Sequence, residues 1–200
     1  MSSNVSWQPG LVGRGARQRS VGVGATIWLT GLPGSGKSTL ASLLEEALLA
    51  DGHPAYRLDG DNLRHGLNSD LGFGPDARHE NVRRAAHVAR LFADAGVVAV
   101  VGLISPFRDD RALARRLHDE CGLPFLEVFM DTPLEECERR DPKGLYARAR
   151  RGEISGFTGV DDPYEPPELP DVVVPTVGYA PDDGVDLVVT ALMARIGALV

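Results

Sequence analysis

The sequence predicts an α/β fold, a mostly parallel five-stranded sheet with helices on both faces. Three observations carry the prediction. Short apolar runs alternate with longer segments of helical period along most of the chain. One run, Val97–Ile104, is apolar throughout, as befits a strand buried on both faces. The first run, Thr26–Thr30, passes through a glycine-rich turn directly into a helix.

Residues 1–24 are rich in Ser, Gly and Arg and lack periodicity, so a flexible lead-in is expected there, before one domain over 25–200. Thr26–Thr30 is the first strand, and its helix runs to about Asp51. Ala55–Leu58 is a second strand, followed by a short helix over Asp61–Leu67. A longer helix spans Arg78–Ala95, with Val82, Ala85, Ala86, Ala89 and Phe92 at helical spacing. Then come the strand Val97–Ile104, a helix over Asp109–Cys121 and the strand Phe125–Met130. Pro133 opens a helix to Arg139 from a position near N1. A helical piece covers Lys143–Arg151, and four prolines punctuate the loop Gly152–Pro170. Asp171–Val174 is the fifth strand and Asp182–Leu199 the closing helix. In parallel sheets ligands bind beyond the carboxyl ends of the strands, which puts the glycine-rich turn, Asp59–Asp61, Ser105 and Asp131 on one rim.

With 200 residues, 43% of them hydrophobic, the chain can bury one sizeable core. Its net charge of −7 argues against a general nucleic-acid or membrane-surface binder. Cys121 and Cys137 have no metal-ligand spacing and are expected as free thiols. There is no apolar leader in residues 1–20, so a cytoplasmic protein is expected.

The first strand and helix read TIWLTGLPGSGKST over Thr26–Thr39, the phosphate-binding P-loop in its strand–loop–helix setting. The fold expected is therefore that of a P-loop NTPase or kinase. Gly31, Leu32, Pro33, Gly34, Ser35, Gly36, Lys37, Ser38 and Thr39 are the expected ATP-binding residues. Backbone N–H groups of the loop form an anion nest at a positive helix end. Lys37 would reach the β- and γ-phosphates, and the Ser38 hydroxyl would sit on Mg²⁺. The chain has two lysines, Lys37 and Lys143, against nineteen arginines, so Lys37 is not a generic solubilising charge. Pro33 has no N–H to donate, but the needed donors lie from Gly34 onward.

A second constellation, Asp59-Gly60-Asp61-Asn62-Leu63-Arg64, follows the second strand. Beside a P-loop, such carboxylates hold a metal-bound water or accept a proton from an acceptor hydroxyl. Asp59 or Asp61 also suits a helix N-cap. Arg64 is placed to meet an anionic group.

DGDNLRHGLNSDLGF, LISPFR, RDPKGLYARAR and GEISGFTGVDDPYEPP, in this order after the P-loop, resemble the adenylylsulfate kinase (APS kinase) family over roughly residues 25–175. The resemblance implies ATP-dependent phosphorylation of the 3′-hydroxyl of adenosine 5′-phosphosulfate (APS) to 3′-phosphoadenosine 5′-phosphosulfate (PAPS), in sulfate assimilation. It implies Mg²⁺, with ATP as phosphate donor. It also implies a homodimer with a functional link to an ATP sulfurylase. By the same resemblance Asp61 would sit by the 3′-hydroxyl and the metal, with Ser38 as the other metal contact. Asp59 and Arg64 would belong to the acceptor site, Arg64 meeting the phosphosulfate. Phe73 and Phe157 would sandwich the acceptor adenine. Arg78, Asn81, Ile104 and Ser105 match further acceptor positions, and Lys143, Arg148 and Arg150 fall in the segment that would close over ATP, with Lys143 expected to bind substrate and Arg148 ATP.

Lys37, Asp61 and Ser105 are the catalytic candidates. The family's serine has been regarded as a phosphoserine intermediate, but direct in-line transfer requires no covalent step, and Ser-Pro is also a simple exit from a strand. Residues 139–167 read as a lid with Gly144, Gly152, Gly156 and Gly159 as hinges, whose closure would exclude water. Two departures from the family pattern are Ser155 and Ala147, each where a basic residue is common, with Arg151 a candidate to replace the first charge. Another small P-loop kinase would have no use for two stacking phenylalanines unless its acceptor is aromatic. A GTPase would carry an Asn-Lys-x-Asp motif, which is missing from the sequence, and a catalytically silent module would have lost Lys37 or Asp61.

Overall fold

The computed structural model describes residues 6, 8 and 10–198. Five strands, β1 (Ala25–Thr30), β2 (Ala55–Asp59), β3 (Val98–Gly102), β4 (Phe125–Asp131) and β5 (Val172–Pro175), form one sheet in the order β2-β3-β1-β4-β5. Every neighbouring pair is parallel, and Ile27 of β1 lies opposite Val100 of β3 and Leu126 of β4. Parallel neighbours need long crossovers. These are α2 (Lys37–Ala50), α4 (Pro75–Ala95), α5 (Arg108–Asp119) and the short α3 (Gly60–Arg64), α6 (Leu134–Arg140) and α7 (Leu145–Arg150). Helix α8 (Pro181–Gly197) closes the fold.

Two cores follow from the alternation of β1. Ile27 and Leu29 pack with Leu40, Leu44 and Leu48 of α2 and Val188 and Leu192 of α8. On the other face Trp28 packs with Phe125 and with Ala85, Ala86 and Ala89 of α4. The alanines let α4 approach closely, and at Gly24 a Cβ would meet the Ala93 carbonyl at 2.1 Å, so no side chain fits there. β1 is buried along its whole length, and its threonines are paired within the core. Thr26 Oγ1 lies 2.8 Å from His118 Nε2, whose ring also bonds the Ala114 carbonyl, and burial pushes that imidazole pKa down.

The five expected strands and the seven expected helical segments are all present, with shifted ends. Helix α4 begins at Pro75, three residues before the expected Arg78, because proline's fixed φ suits the first helical turn. β3 stops at Gly102 and the chain then turns out of the sheet to Ser105, at φ +40°. The helix expected over Asp61–Leu67 is only Gly60–Arg64. The expected flexible lead-in contains a docked helix, α1 (Arg14–Ser20). It has no buried residues, and Arg14 and Arg17 hold it to Asp94 of α4 at 3.1 and 2.5 Å. Ion pairs rather than apolar contacts anchor it, so it leaves no hydrophobic period. The remainder of that lead-in at 1–5, 7 and 9, and the expected helix end at Leu199, lie outside the described residues. Cys121 and Cys137 are free thiols. Among the described residues no helix is long and apolar enough to cross a membrane.

Candidate active site

The P-loop joins β1 to α2. Gly36, at φ +95°, is the residue before α2, and a Cβ on Gly31 would stand 2.9 Å from Ser35 Oγ. These glycines let the loop wrap tightly. Lys37, the first residue of α2, is buried and folds back over the loop. Its Nζ donates to the carbonyls of Gly31 (2.9 Å) and Leu32 (2.7 Å) and to Ser35 Oγ (3.3 Å). Burial lowers its pKa to about 8 against the opposing pull of Cys137, Asp59 and Asp61. Pro33 contributes its carbonyl, which accepts from Tyr146 Oη at 2.9 Å.

Asp59 ends β2 and does two things at once. Oδ1 caps α3, accepting from the Asp61 N–H (2.9 Å) and the Asn62 N–H (3.5 Å). Oδ2 accepts from Ser38 Oγ at 2.9 Å. The cap and the functional reading of Asp59 are therefore compatible, and the buried carboxylate is directed at the P-loop serine. Asp61, in the first turn of α3, is exposed and pairs with Lys143 Nζ. Arg64 donates to the carbonyls of Leu71 and Gly72 and lies 4.3 Å from the Phe73 ring centre. Burial and the nearby Arg78 charge both lower the Arg64 pKa, which marks a place suited to an anion.

Arg78, on α4, ties together the two loops that carry the aromatic candidates. Its Nε donates to the Phe73 carbonyl (2.8 Å), Nη1 to Thr158 Oγ1 and Asp162 (2.5 Å each), and Nη2 to the Gly156 carbonyl. It thus grips the turn on both sides of Phe157. The Phe157 ring meets Tyr146 edge-on, with centroids 4.9 Å apart. Asn81 Oδ1, one turn along α4, accepts from Asn68 Nδ2 at 2.9 Å.

Ser105 is buried, and its hydroxyl is engaged. Oγ accepts from Trp28 Nε1 (3.1 Å) and donates to the Leu103 carbonyl (3.4 Å). Neither partner is a base. The Ser105 carbonyl accepts from buried Arg111, and Thr30 Oγ1 donates to the neighbouring Ile104 carbonyl at 2.8 Å. These bonds fix a backbone turn that a non-glycine residue adopts at a cost.

A single cleft of about 950 Å³ is lined by Lys37, Ser38, Thr39, Pro33, Gly34, Gly36 and Arg148 together with every acceptor candidate: Asp59, Asp61, Arg64, Phe73, Arg78, Asn81, Ile104, Ser105, Lys143 and Phe157. Gly31, Leu32 and Ser35 lie in the loop beneath and do not line it. Arg151, the candidate to replace the charge at Ser155, does not line it either. It pairs instead with Glu153 at 2.6 Å, and Ser155 lines the cleft without it. The sequence reading missed Tyr146 and Arg140, which also line the cleft. Tyr146 is buried and joins the P-loop to Phe157; its place in RDPKGLYARAR and the scarcity of tyrosine were the available signals. The expected hinges Gly144, Gly152, Gly156 and Gly159 all hold positive φ. The segment is pinned where it ends, by Tyr164 Oη to Thr30 Oγ1 (3.0 Å) and by the Glu165 N–H to the Pro106 carbonyl (2.9 Å). The Ser38 hydroxyl with the Asp59 and Asp61 carboxylates is an all-oxygen set, which fits a hard divalent cation that also takes ligands from phosphates and water.

The Adenylylsulphate kinase family profile matches residues 23–175. The adenylyl-sulfate kinase of Clostridium acetobutylicum is 51% identical over 192 residues, covering 96% of this chain and 94% of that one. The bifunctional enzyme CysN/CysC of Mycobacterium tuberculosis is 60% identical over 149 residues, 74% of this chain and 24% of its own. The solved structure of the Mycobacterium tuberculosis APS kinase CysC in complex with AMPPNP and APS superposes with a TM-score of 0.82 at 56% identity, over 84% of this chain and 97% of that chain.

Proposed function

The chain belongs to the adenylylsulphate kinase family, and from that premise we propose how its residues carry out the transfer. The activity is ATP-dependent phosphorylation of the 3′-hydroxyl of APS, giving PAPS and ADP. One observation supports the residue assignment above the rest: Lys37 and Ser38 share a cleft with Asp61, Arg64, Phe73, Asn81 and Phe157. A volume of about 950 Å³ is at the upper end for a small-molecule site and suits two nucleotides.

ATP enters with its phosphates in the P-loop. Lys37 gives up its loop carbonyls for the β- and γ-phosphates, which favour its charged form. APS enters with its adenine between Phe73 and Phe157, whose spacing Arg78 sets through its grip on both loops. Arg64, Lys143 and Asn81 meet the phosphosulfate. Lys143 leaves Asp61 to do so, and this exposed pair is cheap to part. The freed Asp61 carboxylate takes the 3′-hydroxyl proton as the ribose oxygen attacks the γ-phosphorus. The bond to the β,γ-bridging oxygen breaks and ADP leaves. No covalent enzyme intermediate is formed, and Ser105 serves as a structural turn. Ser38, Asp59 and Asp61 would hold Mg²⁺, which would supply positive charge to offset that on the transferring phosphoryl group.

The family resemblance also supports a cytoplasmic homodimer that works with an ATP sulfurylase. The bifunctional mycobacterial relative, three-quarters of which lies outside the match, is consistent with such a link. Light scattering of the purified chain tests the dimer.

The activity is tested by ADP release from ATP with APS, adenosine monophosphate, gluconate and shikimate as alternative acceptors. APS alone should support turnover, with PAPS as product. A rate with APS no greater than the ATP-only background would overturn the reading.

A further inference from the structure

Asn68 lies beyond α3 and belongs to none of the groups placed around the reacting atoms. It is fully buried. Its backbone is fixed by turns on both sides, its N–H bonding the Leu63 carbonyl (2.8 Å) and its own carbonyl accepting from the Leu71 N–H (3.1 Å). Its side chain makes one hydrogen bond, from Nδ2 to Asn81 Oδ1 at 2.9 Å, while Asn68 Oδ1 is buried with no partner among the described residues. An unpartnered buried amide oxygen is destabilising, and an apolar side chain of similar size would avoid it. The other end of the amide therefore has a use.

That use is visible at Asn81. With Oδ1 occupied by Asn68, Asn81 has only Nδ2 left, and Nδ2 has no partner among the described residues. Asn81 lines the cleft beside Arg64 and Arg78. A side-chain amide has a donor end and an acceptor end and can present either. Turned the other way, Asn81 would offer an oxygen to the anion that Arg64 and Lys143 meet, and like charge would repel. We infer that Asn68 is a positioning residue which holds the Asn81 amide with its N–H₂ toward the anionic part of the acceptor, and so sets acceptor affinity without touching the acceptor. The inference rests on the acceptor reading of this cleft.

Two substitutions separate orientation from packing. Asn68→Leu removes the donor that fixes Asn81. Asn68→Asp substitutes an acceptor, which draws Asn81 Nδ2 to itself and turns Oδ1 into the cleft. Initial rates are measured with ATP and APS for each, alone and combined with Asn81→Ala, alongside thermal melting. Asn68→Asp should raise KM for APS about tenfold or more and Asn68→Leu by a smaller factor, the range expected for losing a hydrogen bond to a charged group. KM for ATP and kcat should stay within about twofold. In the Asn81→Ala background neither should add more than about twofold, because the group they orient is gone. If Asn68→Asp does not fold, Asn68→Leu alone decides. An equal further loss in the Asn81→Ala background, or parallel losses in kcat and in KM for ATP, would show a packing role and overturn the inference. Wild-type protein inactive with APS is a different failure, which overturns the functional reading and this inference with it.

Discussion

Lys143 Nζ pairs with Asp61 Oδ2 across the mouth of the cleft, joining the segment between α6 and α7 to the first turn of α3. The two side chains are 61% and 64% exposed, so the pair contributes little to stability. Its consequence is functional, because it joins the carboxylate proposed as base to the one lysine outside the P-loop. Lys143→Met should leave the melting temperature nearly unchanged. It should lower kcat/KM for APS by about tenfold or more, as expected for losing a charged hydrogen bond to the acceptor. Unchanged APS kinetics would remove Lys143 from the acceptor site.

Ser105 distinguishes direct from covalent transfer. Its φ of +40° suits glycine, so Ser105→Gly relieves strain while leaving the buried Trp28 N–H without its acceptor. Strain relief and the lost bond are each about 1–3 kcal/mol and opposite in sign. The variant should fold with stability close to wild type and keep kcat within about tenfold, a loss of about 1.4 kcal/mol or less in transition-state stabilisation. Loss of essentially all turnover in a folded Ser105→Gly protein would show that the hydroxyl reacts.

Lys37 predicts the pH dependence of donor binding. Its pKa is lowered to about 8 by burial. Below that pH the free enzyme already carries the charge that phosphates need. Above it the free enzyme is neutral at Lys37, and nucleotide binding, which favours the charged form, must take up a proton. Kd for ATP should therefore rise above about pH 8, by at most tenfold per pH unit from this group. Calorimetry in buffers of different ionisation enthalpy should register proton uptake at pH 8.5–9. Proton release would contradict the assignment.

Phe73 is 69% exposed, with Arg64 over its ring and little else to hold it, so it is not a plug over the core. Stacking on a base contributes about 1–3 kcal/mol, so Phe73→Ala should raise KM for APS about 5- to 150-fold. The melting temperature and KM for ATP should hardly change. Equal losses for both substrates would argue for a role in packing.

Much of this was legible in the sequence because it rests on local chemistry. The P-loop declares itself in contiguous residues, and the sheet in alternating periods. Asp59, Asp61, Arg64 and Phe73 fall within one short stretch. What stayed hidden depends on contacts between distant segments. Helix α1 is held to α4 by arginines on Asp94, and charge pairing leaves no hydrophobic period to read. Arg78 reads from the sequence as an acceptor candidate, but its grip on Gly156, Thr158 and Asp162 requires α4 to lie against a loop some 80 positions later in the chain. Asn68 and Asn81 are thirteen positions apart on different elements, and no spacing rule joins them. Tyr146 needed the fold for the same reason, since its partners Pro33 and Phe157 come from opposite halves of the cleft.

Asp61 as the acceptor of the 3′-hydroxyl proton is the central claim. The most direct test is single-turnover transfer from γ-labelled ATP to APS by wild-type protein and by Asp61→Asn, with binding of AMPPNP and APS measured on both. The variant should bind both ligands and transfer label about 10²–10⁴-fold more slowly, the range that general base catalysis supplies. Near wild-type transfer by Asp61→Asn would contradict the claim.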